Sequence, residues 1–398
     1  MSDTFISRLK LDSLLSFSHG GPAIDLQPLN VVIGPNGSGK SNLIEALELL
    51  RATASDFARA IRVGGGAEDW LWKGARRKPL PATLNVELAR CLVTGRPLRY
   101  WLEFDAVSGR VEILTELIEE ASRSPGEKEP RFYYRFRNGK PVIKARAGGS
   151  NGQRTARKLE RTSLTPDQSV LAQRKDPDLY PEVTWLGQQF GRIQTFRDWT
   201  FGASSNLRMP QRADDPIDQL LPDASNLALV LNEIQHDDGH GLDGAIKRFL
   251  PRYERLSIRI VGGTVQLFLY EKGLKHPISA TRASDGTLRL LAMLAVLLTP
   301  TPPPLLCLEE PELGMHPDAL SLLAELLVDA SSRMQLVVTT HSDALLSALS
   351  DQIESVMVCE NNGNGTTIEH LDTERLAFWL EKYKLGEIWR LGEIGGNP

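Results

Sequence analysis

The stretch with most to offer chemically is GPNGSGKSN, running from Gly34 to Asn42. Gly34, Gly39, Lys40 and Ser41 satisfy the spacing G-x-x-x-x-G-K-[ST], with the apolar run LNVVI before it and a helical pattern after it. Pro35, Asn36, Gly37 and Ser38 fill the loop, and Asn42 continues it into the helix. Glycines at these positions let backbone N–H groups turn inward around a polyphosphate, and the helix N-terminus adds its positive end. Lys40 is then placed to reach terminal phosphates and Ser41 to ligate Mg²⁺. The bland alternative is a glycine-rich turn between strand and helix, which does not call for a Lys–Ser pair.

Other chemistry-bearing residues lie far downstream. PPLLCLEEPELGMHP is an apolar strand ending in acids. A strand leaving a sheet at its carboxyl edge points its last side chains into the ligand crevice. Glu309 is expected there as a Mg²⁺ ligand, through water, and Glu310 as the group that orients and polarises an attacking water. A solvated acidic turn is the competing reading. Glu309 is one methylene longer than the Asp common at such positions. His341 comes after the strand QLVVTT, which should lie beside the acidic strand, and at that tip it can contact a terminal phosphate; a capping or core histidine is the alternative. ASDGTLRLL reads in two ways. Ser284 can cap a core helix carrying Leu288 and Leu291, or Ser284, Asp285, Gly286 and Thr287 can hold a phosphate at the positive end of that helix.

The elements that must position these residues alternate at both chain ends. Residues 5–11 and 29–33 read as strands, the second a continuous apolar run typical of a buried parallel strand. SNLIEALELLRATASDFARAIR has helical spacing. From about 82 to 145, NVEL, RYWLEFD, RVEILTEL, RFYYRFR and PVIKA form an antiparallel meander, with a polar loop after it over 146–157. The text from 164 to 250 is mostly helical, then RLSIRIVGG and TVQLFLY form a hairpin. Four segments result: 1–80, the first half of an α/β core with the phosphate loop; 81–160, an antiparallel β lobe with a basic loop; 161–280, a helical lobe with the hairpin; and 281–398, the second half of the core. No sustained heptad appears, so no long coiled coil is expected.

GPNGSGKS, SDGT, LLCLEEPE and TTH stand in an order that resembles the ABC-class P-loop ATPases. The SDGT form, the EEPE…HP run and the N-terminal ISRLKLDSLLSF…LNVVIGPNGSGKSNLIEAL look like the SMC/RecF/OLD-like branch, and the whole looks like its stand-alone bacterial members. The likeness is firm over 3–50 and 280–345 and loose between. It implies an α/β P-loop NTPase head with an inserted antiparallel β lobe and a helical lobe, using ATP and Mg²⁺. It also implies that Ser284, Asp285, Gly286 and Thr287 contact the nucleotide held by a second subunit, so that a homodimer sandwiches two ATPs. Asp285 departs from the commoner glycine and places a carboxylate near a phosphate unless its side chain points away. The class uses a glutamine to sense Mg²⁺ and water. Gln173 is preferred over Gln194 for that place, with a surface glutamine as the alternative for either. Arg59 or Arg62 can approach the nucleotide, or line a solvated helix face. By the same resemblance the protein works in DNA repair or anti-phage defence beside a separate effector such as a nuclease or toxin. OLD-type proteins carry a nuclease domain, but the residues after His341 here include no clustered acidic metal site, so no nuclease in cis is inferred.

Between 131 and 161 stand Arg131, Arg135, Arg137, Lys140, Lys144, Arg146, Arg154, Arg157, Lys158 and Arg161, against the single acid Glu160. With Phe132, Tyr133, Tyr134 and Phe136 interleaved, a basic hairpin and loop of this kind suits phosphate backbones, DNA included. A solvated lobe surface, or a dock for an acidic protein, is the alternative. The last 25 residues are amphipathic and pack either on the core or in a partner's groove.

The 398 residues are 41% hydrophobic and 24% charged with a formal net charge of −4, so global charge points neither to nucleic acid nor to membrane. Cys91, Cys307 and Cys359 offer neither a disulfide framework nor a zinc spacing. The N-terminus lacks an apolar signal core, and the most apolar run, Leu288–Leu298, is too short to cross a bilayer. A cytoplasmic protein without a membrane partner is expected. A transporter ATPase subunit fits poorly, because phosphate loop and SDGT lie far apart. A nucleotide-gated scaffold or toxin-restraining protein with little turnover stays open beside the hydrolysing enzyme.

Overall fold

The two strand patterns build two different sheets. A computed structural model describes residues 4–74, 79–146, 154–197, 199–200, 202–237 and 241–395. The first strands in chain order are β1 (Ile6–Asp12), β2 (Ile24–Asp25), β3 (Leu29–Ile33), β4 (Ala82–Leu88), β5 (Leu98–Val107) and β6 (Arg110–Glu120). Then come β7 (Phe132–Arg137), β8 (Lys140–Arg146), β9 (Arg154–Lys158), β10 (Gln194–Phe196), β11 (Gln211–Arg212) and β12 (Tyr253–Val261). The last are β13 (Thr264–Glu271), β14 (Ile278–Ser279), β15 (Leu305–Glu309), β16 (Gln335–Thr339), β17 (Val356–Asn361) and β18 (Thr366–His370).

The continuous apolar runs form a six-stranded sheet, β10-β15-β16-β3-β17-β18, parallel except for its last pair. The alternating patterns form an eight-stranded antiparallel sheet, β2-β1-β4-β5-β6-β7-β8-β9. A small sheet of β11, β13 and β12, with β14 on β13, contains the expected hairpin.

Helices α1 (Lys40–Thr53), α2 (Phe57–Val63) and α3 (Ala67–Trp70) come after β3. Helices α4 (Val170–Gln173), α5 (Pro181–Gly191), α6 (Leu227–His236) and α7 (Leu242–Phe249) lie in the third segment. The last segment holds α8 (Asp285–Leu297), α9 (Leu320–Ser331), α10 (Asp343–Ala348), α11 (Thr373–Leu380) and α12 (Leu385–Arg390).

Successive residues of a strand face opposite ways, and β3 divides the core accordingly. Val32 joins α1 and the antiparallel sheet in one core, while Val31 and Ile33 join α8 and α9 in the other. The side-chain amide of Gln335 on β16 links the two large sheets. It accepts from Ile6 N at 2.8 Å and donates to the carbonyls of Ile6 and Gln27, both at 2.9 Å.

Several sequence expectations change. The helix after the phosphate loop breaks at Ala54–Asp56, where the Asp56 carboxylate accepts from Arg59 N and caps α2. The meander does not stand alone, because β4 pairs with β1 and the boundary expected at 80/81 runs through one sheet. Part of the polar loop forms the strand β9, while 147–153 lies outside the described residues. β10, within text read as helical, extends the parallel sheet, so segment 161–280 contributes to the core. The α12 part of the C-terminal amphipathic stretch packs on the chain itself, with Leu385, Ile388 and Trp389 fully buried, while Phe378 and Tyr383 ahead of it are exposed.

Candidate functional site

The phosphate loop joins β3 to α1. Gly34 and Gly39 have φ of 152° and 114°, and a Cβ on either would overlap the Cys359 carbonyl oxygen or the Thr366 hydroxyl, respectively. Only glycine lets the turn close this tightly. Lys40 opens α1 and is buried; its Nζ donates to the carbonyls of Gly34 at 2.7 Å and Pro35 at 3.0 Å. Burial pulls the Lys40 pKa down, opposed by nearby Cys359, Glu310 and Glu309.

β15 lies two strands from β3, with β16 between, and all three end on the same side. The Ser41 hydroxyl therefore meets the Glu309 carboxylate, to which it donates. A hydroxyl and a carboxylate side by side are the hard-oxygen donors that Mg²⁺ selects, so these residues fit that ion. Glu310 has φ of 46°, sparsely used by non-glycine residues, and its N–H donates to Thr339 O at 3.0 Å. Its Oε1 stands 3.6 Å from His341 Nε2. Burial lowers the His341 pKa, and the charge of Lys40 lowers it further against the pull of Glu310.

Two residues that sequence reasoning missed hold this arrangement. Glu312 is buried and its Oε1 accepts from the Thr340 hydroxyl at 2.6 Å and from His341 N at 3.1 Å, fixing the corner that carries His341. Arg197 comes directly after β10, whose Phe196 pairs with Leu308, so it arrives next to Glu309. Its Nε donates to Glu309 Oε2 at 2.7 Å and its Nη1 to Glu45 Oε1 at 3.0 Å. The signal was a basic residue directly after a short strand at the carboxyl edge of a parallel sheet.

Ser284 caps α8, its hydroxyl accepting from Thr287 N at 3.1 Å and lying 2.8 Å from Thr287 Oγ1. Asp285 bonds the Arg208 guanidinium and accepts from Gly202 N at 3.2 Å, so its carboxylate is paired within the chain. Gly286 lies against the turn after the acids, its missing Cβ 3.5 Å from Gly314 O.

Gln173 is a correction. Its amide oxygen accepts from Thr165 N at 2.8 Å and its amide nitrogen donates to Gln168 O at 2.7 Å, on the wall of a cavity of about 290 Å³ between the antiparallel sheet and residues 161–173. With the amide engaged there, it is not brought to Ser41 and Glu309. Gln194 sits at the start of β10, opposite Leu306, and bonds Gln219. Arg59 and Arg62 lie exposed on α2, with Arg59 in a cleft shared with Arg197.

The basic stretch is less unbalanced than its sequence. Arg131 pairs with Glu127 at 3.4 Å, Arg135 with Glu129 at 3.3 Å, Arg161 with Glu112 at 2.9 Å, and Arg154 with the buried Glu182. Arg157 bonds the Tyr180 hydroxyl at 3.4 Å. Among the described residues, Arg137, Lys140 and Lys158 are exposed without a carboxylate partner, and Lys144 lies over the Phe132 ring. Pairing of Arg137 with Lys140, and of Val142 with both Arg135 and Lys158, puts Arg137, Lys140, Lys144 and Lys158 on one sheet face.

Residues 29–347 match the family described as "AAA domain, putative AbiEii toxin, Type IV TA system". No curated protein matches the sequence. Among solved structures, the chain is similar to an Smc head bound to the C-terminal winged-helix domain of ScpA, at 14% identity and TM-score 0.58, over 93% of this chain and 99% of that one. It is also similar to an Smc head with an extended coiled coil bound to the C-terminal domain of ScpA, from Pyrococcus furiosus, at 13% identity and TM-score 0.56, over 95% and 99%. At such identities the likeness is one of fold. No helix among the described residues is long and apolar enough to cross a membrane.

Proposed function

This chain belongs to that AAA-domain family and has the P-loop ATPase fold of the SMC/RecF-like branch, and we propose that it binds and hydrolyses ATP with Mg²⁺ as a nucleotide-sandwiched homodimer. The observation that carries the reading is the convergence of the Gly34–Asn42 loop, Ser41, Glu309, Glu310 and His341 from three parallel strand ends. The loop amides and Lys40 bind and orient the phosphates. Glu310 takes up a proton from, or orients, an attacking water, and His341 Nε2 stands 3.6 Å from its carboxylate. Ser41 and Glu309 are the residues that would hold Mg²⁺, which would supply charge neutralisation at the phosphates. Ser284 is exposed, as a group serving a partner subunit's nucleotide must be.

The dimer in turn gates nucleic-acid engagement or a separate effector such as a nuclease or toxin, in DNA repair or anti-phage defence. The family description and the shared face of Arg137, Lys140, Lys144 and Lys158 support this part of the reading.

Light scattering of Glu310→Gln protein with and without ATP–Mg²⁺ tests the proposal. The expected result is a doubling of mass with nucleotide, abolished by Ser284→Arg in the same background. A mass indifferent to both nucleotide and Ser284 overturns the dimer, and absence of nucleotide binding overturns the ATPase.

A further inference from the structure

Arg197 brings a positive charge to the place where the donor set would accept a divalent cation. The Glu309 carboxylate is held from two sides, by the Ser41 hydroxyl on one oxygen and by Arg197 Nε at 2.7 Å on the other. The same guanidinium reaches Glu45 at 3.0 Å and lies 4.0 Å from Glu48, one turn further along α1. Lys40 meanwhile bonds the carbonyls of its own loop. Lys40 and Glu309, the two charged groups that would face the phosphates and the metal, thus each have an internal substitute partner.

We propose that Arg197 is the resident counter-cation of Glu309, and that a divalent ion enters only as the guanidinium leaves Glu309 for the Glu45–Glu48 pair on α1. Arg197 is a positioning residue in this scheme: it acts through Glu309 and sets the metal dependence of the site. The inference rests on the nucleotide-binding reading above.

Four features support the exchange. A guanidinium and a divalent ion on one carboxylate repel at a few ångströms, in a partly buried setting where screening is weak. Glu45 and Glu48 stand on the same face of α1, three residues apart, with side chains 31% and 45% exposed, so they receive the guanidinium without deep burial of charge. A cleft of about 730 Å³ runs along α1 and α2 and is lined by Glu45, Glu48, Arg59 and Arg197, which gives the side chain room to swing. Arginine suits the role because its planar fork spans two carboxylates at once, so it passes from one to the other without releasing both.

The experiment measures binding, not turnover. Glu310→Gln protein is loaded with a fluorescent ATP analogue in EDTA, and Mg²⁺ is then titrated back. Removing the resident cation by Arg197→Gln is expected to tighten the Mg²⁺ response about tenfold, the scale of one like-charge contact at a partly exposed site. Removing the parking place by Glu45→Gln with Glu48→Gln is expected to weaken it several-fold, and Arg197→Lys to fall between wild type and Arg197→Gln. Loss of a merely structural ion pair weakens the response in both cases, so opposite signs are diagnostic. An unchanged or weakened Mg²⁺ response in Arg197→Gln overturns the proposal. Should that variant fail to fold, Arg197→Lys takes its place beside the Glu45 and Glu48 substitutions, a Mg²⁺ response no tighter than that of the unsubstituted Arg197 protein overturning the proposal. Failure of the analogue to bind wild type, with or without Mg²⁺, instead removes the nucleotide-binding reading beneath it.

Discussion

Arg208 grips Asp285 and at the same time donates to the backbone carbonyls of Ala283 at 2.6 Å and Thr281 at 3.1 Å, so one guanidinium shapes the whole approach to the SDGT turn. A further contact, Nε to Gly202 O at 2.9 Å, ties it to the same residue whose N–H donates to Asp285. The negative charge at Asp285 is thereby directed back into its own chain, and the Ser284 end of α8 is left open.

Arg208→Ala should cost about 1–3 kcal/mol in urea unfolding, because it strands several carbonyls and a carboxylate together. Asp285→Asn should cost less, since that side chain is half exposed. Both should lower the nucleotide-dependent mass change seen by light scattering of Glu310→Gln protein.

His341 should titrate below the ordinary histidine value of 6.5 in NMR, and Lys40→Met should move it back up by removing a nearby positive charge. With the folded-state pKa depressed, the stability tied to neutral His341 is fully present above 6.5 and is lost as pH falls through the folded-state value. Wild type should therefore lose stability relative to His341→Gln as the pH drops below 6.5 in urea titrations.

Glu312→Ala should destabilise by about 1–3 kcal/mol, because the Thr340 hydroxyl and the His341 N–H lose a buried acceptor. The His341 ring resonances should shift in the same variant, and their failure to move would show that Glu312 does not fix that corner.

Gly39→Ala should abolish binding of a fluorescent ATP analogue and cost about 1–3 kcal/mol by thermal unfolding, since φ of 114° and the overlap with Thr366 both oppose a side chain.

Triple reversal of Arg137, Lys140 and Lys158 to Glu should weaken duplex DNA binding in anisotropy titrations and lower the log–log salt slope by about one per lost contact. Arg131→Glu, at a position already paired with Glu127, should do far less. Equal effects from both would remove the nucleic-acid part of the reading.

The parts of this site legible in the sequence are those whose meaning is local. The phosphate loop, the acids after PLLCL and the histidine after QLVVTT each announce themselves by an apolar strand and the few residues at its end. The parts that were missed depend on distant partners. Arg197 meets a residue 112 positions away and Arg208 one 77 positions away. A three-residue strand such as β10 carries too little periodicity to be seen against helical neighbours. The basic stretch is less unbalanced than its sequence for a related reason: the acids that pair with Arg135, Arg154 and Arg161 lie outside it, on β6, in the loop after it and on α5. Gln173 failed because a glutamine's type says nothing about which backbone groups will claim its amide.

The Gln335 amide has a mechanical consequence. Sliding the antiparallel sheet over the parallel one would break both of its hydrogen bonds to Ile6, which are buried and which no water replaces cheaply. β1 and β16 are riveted at one end of β16, and His341 lies just past the other end. The two large sheets are therefore pinned to each other at that end of β16, and any reshaping that accompanies ligand entry is expected away from it.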